Sequence, residues 1–149
     1  MTDPWIKKYM GLAKEISSWS KDPSRQVGAV AVSQKGQVLA TGYNGFPRGM
    51  FDTPERYNDR TLKYKYVVHA EMNCIYNATY NGVSLDDSTL YVHGLPPCSE
   101  CAKGIIQVGI TAVYWQVDYE IPDKWLTSLQ TTEEMFAEVG IKLHQFTLL

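Results

Sequence analysis

Between residues 89 and 117 the chain reads strand, turn, helix and strand, and that succession constrains its fold more than any other stretch. Thr89-Leu90-Tyr91-Val92-His93 is rich in β-branched and aromatic residues, and residues 94–97 hold the Gly and Pro of a turn. A helix is expected over 98–108, ended by Gly109, and a second strand over 110–117. Two strands joined through a helix lie parallel in one sheet, with a right-handed crossover. Upstream, residues 27–32 and 37–42 are strand-like runs around Ser33-Gln34-Lys35-Gly36, which predicts an antiparallel hairpin.

Helical signals surround these strands. Asp3-Pro4 resembles an N-cap and first helical position, and Ile6, Tyr9, Ala13 and Ile16 follow at helical spacing. Residues 44–65 lack periodicity, contain Gly45, Pro47, Gly49 and Pro54, and are expected to form a long loop. A helix is predicted over 67–80, a final helix over 123–139 stopped by Gly140, and a last strand over 141–146. The order α-β-β-α-β-α-β-α-β predicts an α/β fold, with helices covering the faces of a five-stranded sheet. A length of 149 residues, without linker or repeat, points to a single domain over 1–149.

Composition narrows the function. With 44% apolar residues the chain can build a core, and a net charge of -2 withholds the broad basic surface that long nucleic acids require. No apolar run reaches membrane-spanning length and the first residues carry no targeting pattern, so a soluble, cytoplasmic protein is expected, or one of the host cytoplasm if the source is viral. The three cysteines make a poor disulfide framework, but two of them sit in Cys98-Ser99-Glu100-Cys101.

Chemistry concentrates where two helices are expected to begin, at His69-Ala70-Glu71 and at Pro97-Cys98-Ser99-Glu100-Cys101. One imidazole and two thiolates suit tetrahedral zinc, and three protein ligands leave the fourth position open, as in catalytic sites. Zinc can lower the pKa of a bound water from about 15.7 towards roughly 7. Glu71 is then better placed as proton shuttle than as ligand. His-x-Glu followed by Pro-Cys-x-x-Cys is the signature of zinc nucleobase deaminases, in which hydroxide attacks C4 of cytosine or C6 of adenine.

The resemblance extends beyond the metal motif. Asp22-Pro23-Ser24-Arg25-Gln26-Val27-Gly28-Ala29, Gly42-Tyr43-Asn44-Gly45-Phe46-Pro47-Arg48-Gly49 and Pro97-Cys98-Ser99-Glu100-Cys101-Ala102-Lys103 resemble the deoxycytidylate deaminase family. That resemblance implies a three-layer α/β/α cytidine-deaminase-like fold with a mixed five-stranded sheet. It implies Zn2+ on His69, Cys98 and Cys101, Glu71 as proton shuttle, and conversion of dCMP to dUMP for thymidylate synthesis. Asn44 is expected to hydrogen-bond the nucleotide near sugar and base, the Ala70 backbone to meet the pyrimidine edge, and Ser24, Arg25 and Tyr119 to surround the phosphate. A homo-oligomer is implied, often a hexamer. Regulation by dCTP and dTTP is the corresponding hypothesis, with Mg2+ accompanying the triphosphate and Asn44, Gly45 and Arg48 near the effector. Relatives with a second zinc carry extra Cys and His ligands before the catalytic helix; residues 45–68 contain neither, so one zinc per chain is expected.

A purely structural zinc site would need a fourth ligand and no Glu71. Cys74 is expected in the core, His93 and His144 as ordinary packed or surface histidines, and the many Trp and Tyr as core and subunit contacts, Phe46 being the mild exception. Arg48 is as apt to meet a carboxylate as a nucleotide. Among functions, a deaminase of transfer RNA adenosine often carries Met where this chain has Glu100, and deaminases of free cytidine usually carry Cys where it has His69. A non-catalytic protein that binds zinc and nucleotides would have no use for Glu71.

Overall fold

The computed structural model describes residues 3–147, so the ends of the expected domain at 1–2 and 148–149, and the Asp3 side chain expected as a cap, lie outside the described residues. Helix α1 (Asp3–Ser17) precedes the hairpin β1 (Gly28–Val32) and β2 (Val38–Tyr43); α2 (Pro54–Asn58), α3 (Arg60–Tyr66) and α4 (Ala70–Tyr80) follow. Then come β3 (Thr89–His93), α5 (Ser99–Gln107), β4 (Ala112–Gln116), a 3-10 turn at Asp123–Trp125, α6 (Leu126–Val139) and β5 (Lys142–Gln145).

The five strands form one sheet in the order β2-β1-β3-β4-β5. β1 is antiparallel to both β2 and β3, whereas β3, β4 and β5 run parallel. The expected antiparallel hairpin and parallel pair are both present. Alternation along each strand feeds two separate cores. Val30, Val32 and Tyr91 meet Ile6, Tyr9, Met10, Ala13 and Ile16 of α1 on one face. Ala29, Ala31, Leu90, Val92 and Val113 meet the buried sides of α4, α5 and α6 on the other. The result is the expected α/β/α layering around a mixed sheet.

Two glycines set how closely the helices approach. A Cβ on Gly28 would stand 2.1 Å from the Ala13 carbonyl oxygen of α1, and one on Gly42 would stand 2.3 Å from the Cys74 nitrogen of α4. Only a residue without a side chain lets both helix backbones lie against the hairpin. Cys74 is fully buried there, as a core thiol whose burial pushes its pKa up to about 12.

Three expectations need correction. Residues 44–65 are not one long loop. Thr53 caps α2, accepting from the Arg56 nitrogen with Pro54 in the first turn, and Asp59 caps α3, accepting from the Leu62 nitrogen. The helix expected from 67 starts at Ala70, because Val68 is extended and bridges Gly45. The helix expected from 123 opens with the 3-10 turn before α6 begins.

Candidate metal centre and active-site cavity

The first turns of α4 and α5 meet, and their cap residues carry the chemistry. His69 caps α4 and Cys98 caps α5, both with extended backbone (ψ 154° and 163°), so neither follows its helix's rotation. This is why His69 and Glu71 approach one centre although residues two apart diverge within a helix. His69 Nδ1 lies 3.4 Å from Cys98 Sγ and 3.3 Å from Cys101 Sγ. Tetrahedral zinc, with its usual bond lengths to nitrogen and sulfur, separates such a pair by about 3.5 Å. The donor set therefore fits zinc, with Nδ1 as the nitrogen facing the metal and one position left open.

Electrostatics favour the same assignment. The Cys98 thiol is held down to about 4, chiefly by the hydrogen bond from Cys101 and then by His69, so it is a ready thiolate. Cys101 is shifted upward because its proton serves that bond, and a metal ion takes the place of such a proton. The bond to Cys98 raises His69 to about 9, so without a metal the imidazole holds a proton that zinc has to displace. Glu71 is only 3% exposed; burial, and then the Cys98 charge, push it up to about 7. A carboxyl at that value can take and return a proton near neutrality.

His69, Glu71 and Cys98 open onto a cavity of about 260 Å3, which Arg25, Asn44 and Ala70 also line. Val67, Leu95, Trp125 and Leu129 are among the apolar residues that line it. Largely apolar lining with a few polar groups is the usual make-up of a small-molecule site.

A family model for the zinc-binding region of cytidine and deoxycytidylate deaminases matches residues 3–117. The chain belongs to that family. It is 41% identical over 149 residues to the deoxycytidylate deaminase of Homo sapiens, covering 95% of this chain and 79% of the relative. An uncharacterised deaminase of Aliivibrio fischeri is 35% identical over 144 residues, covering 96% of this chain and 94% of the relative. Among solved structures, the dCMP deaminase of cyanophage S-TIM5 in apo form superposes with a TM-score of 0.76 at 26% identity, covering 98% of this chain and 100% of that one. The same enzyme in complex with dCMP and dUMP gives a TM-score of 0.72 at 28% identity, covering 98% and 99%.

In this deaminase the expected substrate residues divide between two places. Arg25, Asn44 and Ala70 share the cavity with the metal ligands, while Ser24 and Tyr119 line a neighbouring groove that Arg25 also borders. The Arg25 guanidinium lies 4.1 Å from the centre of the Tyr119 ring and 5.0 Å from that of Trp125. The Tyr119 hydroxyl donates to the Gly94 carbonyl oxygen. Asn44 braces the backbone: Oδ1 accepts from the Val27 nitrogen at 2.9 Å, and Nδ2 donates to the Arg25 carbonyl oxygen at 2.8 Å. Gly45 pairs with Val68 beside the metal ligand. Arg48 stands apart, bonded to Asn77 and stacked near Tyr80 in a separate groove.

Some site residues are absent from the sequence-based expectations. Lys63 and Trp125 line the cavity, as does Ser128, whose hydroxyl accepts from the Ser99 nitrogen at 2.9 Å and steadies the start of α5. Trp125 is partly legible as the aromatic residue at the start of an expected helix. Lys63 becomes visible only once α3 is known to be a helix.

Proposed function

We propose that this deaminase converts dCMP to dUMP by zinc-dependent hydrolysis, with water consumed and ammonia released. The observation that carries the reading is the buried Glu71 carboxyl, set beside His69, Cys98 and Cys101 in a cavity that also holds the Arg25 cation. A zinc ion in that ligand set supplies a water-derived nucleophile at neutral pH. Glu71 takes a proton from the attacking water and delivers it to the pyrimidine N3, then takes the second from the new hydroxyl at C4 and passes it to the departing amine. The N–H groups around Ala70, in the first turn of α4, have no intrahelical acceptor and donate to the pyrimidine edge. Asn44 meets the nucleotide near its sugar and base. Arg25 takes the phosphate through paired hydrogen bonds, with Ser24 and Tyr119 beside it.

The same reading includes a homo-oligomer with six subunits favoured; Tyr76 and Tyr80, exposed on α4, support a subunit contact there and not its number. It includes control by dCTP and dTTP, with Mg2+ on the triphosphate and Asn44, Gly45 and Arg48 as the effector residues. Cytoplasmic location belongs to the proposal as well; among the described residues no helix is long and apolar enough to cross a membrane. A polynucleotide substrate is disfavoured by the balance of 14 Lys and Arg against 16 Asp and Glu.

A panel of dCMP, CMP, deoxycytidine, dCTP and transfer RNA, followed by ammonia release, tests the assignment. Turnover of dCMP above the others supports it. Activity on the RNA with silence on every cytosine nucleotide overturns it.

A further inference from the structure

Two side-chain cations line the cavity besides the metal-binding imidazole, and they are in different states. Arg25 has no carboxylate partner among the described residues and lies against aromatic rings, so its charge is free for an anion. Lys63 is already neutralised: Nζ donates to Asp22 Oδ1 at 2.9 Å, in a pair whose side chains are 12% and 2% exposed.

Asp22 in turn builds the segment that carries Arg25. Its Oδ1 also accepts from the Ser24 nitrogen at 2.8 Å and the Arg25 nitrogen at 3.2 Å, and its Oδ2 accepts from Asn44 Nδ2 at 3.4 Å. The peptide on one side of Arg25 is thus held by Asp22 and the peptide on the other by Asn44. A carboxylate buried this deeply needs a countercharge to stay in place, and Lys63 supplies it from α3.

We propose that Lys63 is a positioning residue for the substrate phosphate: by pairing with Asp22 it fixes the 22–25 turn and so aims Arg25 into the cavity. The inference rests on the reading that Arg25 receives the phosphate. It separates Lys63 from a direct phosphate ligand, because Asp22 holds the Ser24 and Arg25 nitrogens whatever Lys63 does. If Lys63 acts through Asp22, Lys63→Met costs nothing further once Asp22→Asn is in place. If Lys63 binds phosphate itself, Lys63→Met weakens dCMP binding in either background.

The test is steady-state deamination of dCMP and deoxycytidine by the zinc-loaded protein and its Lys63→Met, Asp22→Asn, Lys63→Arg and Arg25→Ala variants, with zinc content measured for each. Lys63→Met and Asp22→Asn are each expected to raise KM for dCMP about tenfold, the scale of one charge-assisted hydrogen bond. Both should shrink the ratio of kcat/KM for dCMP to that for deoxycytidine. The double variant should be no worse than the worse single one, and Lys63→Arg should recover most of the preference. A lower KM in Asp22→Asn, additive losses in the double variant, or an unchanged ratio in Lys63→Met overturns the proposal. Should Lys63→Met lose zinc, Lys63→Gln takes its place in the same double-variant comparison. An Arg25→Ala variant that keeps the full preference for dCMP removes the phosphate reading itself, and the inference with it.

Discussion

His69 Nδ1 lies 3.3 Å from Cys101 Sγ although 32 residues separate them, so the candidate metal centre ties the start of α4 to the start of α5. Metal bound only by the folded chain stabilises it by mass action, about 4 kcal/mol at a thousandfold excess over Kd. For a chain of this size that is on the order of 10 °C in Tm. Chelation is expected to lower Tm by this amount and zinc to restore it, while His69→Ala should make Tm insensitive to zinc. Calorimetry with and without chelator checks this; an unchanged Tm contradicts a shared metal centre.

The position of α4, and with it Glu71, depends on Gly42. An added methyl there meets helix backbone, with Ala70 O at 2.6 Å as well as Cys74 N at 2.3 Å, and neither can rotate away. Gly42→Ala should cost about 1–3 kcal/mol or more through overpacking, and should reduce zinc retention because α4 begins at a ligand. Gly11→Ala is the control of opposite sign. Gly11 lies on the exposed face of α1 with nothing within 4 Å of its added Cβ, and the change should stabilise by roughly 0.5–1 kcal/mol. Urea unfolding of both variants tests the pair; equal effects would show that the Gly42 contact is relieved by small shifts.

His93, on the α1 face of the sheet, is 5% exposed and neither ring nitrogen is in a hydrogen bond, although Nε2 comes within 3.4 Å of Asp118 Oδ2. Burial lowers its pKa; the Asp118 charge works against that shift and the Lys14 charge with it. The unfolded chain therefore binds this proton more readily than the folded one. The contribution to stability is present above about 6.5, the unperturbed value, and is lost as pH falls through the lowered one. Between pH 7.5 and 5.5 the urea midpoint of the wild-type protein should fall further than that of His93→Gln. Parallel losses would mean that other groups set the acid sensitivity.

The clustering of His69, Cys98 and Cys101 beside Glu71 is legible because zinc chemistry needs particular residue types at fixed spacing, and the caps at His69 and Cys98 turn that spacing into a cluster. The central strands are legible for a simpler reason: Thr89–His93 is buried on both faces and reads as a continuous apolar and aromatic run. The segment before α4 is hard to read because α3 has no buried residue, so no periodicity marks it as a helix. Its only local signals are caps, Thr53 before Pro54 and then Asp59. Lys63 depends on that helix and on a partner 41 residues away, a pairing no local pattern encodes. Arg48 shows the opposite difficulty, since a motif places it near Asn44 in sequence while the chain carries it to Asn77 and Tyr80.

On this mechanism Glu71 moves the protons of a metal-dependent deamination of dCMP. The deciding measurement is kcat for dCMP together with zinc content, in the wild-type protein and in Glu71→Gln. General acid–base catalysis contributes about 10²–10⁴-fold, so the variant should keep its zinc and bind dCMP while losing at least a hundredfold in kcat. A Glu71→Gln protein that keeps zinc and turns dCMP over at the wild-type rate would contradict the account.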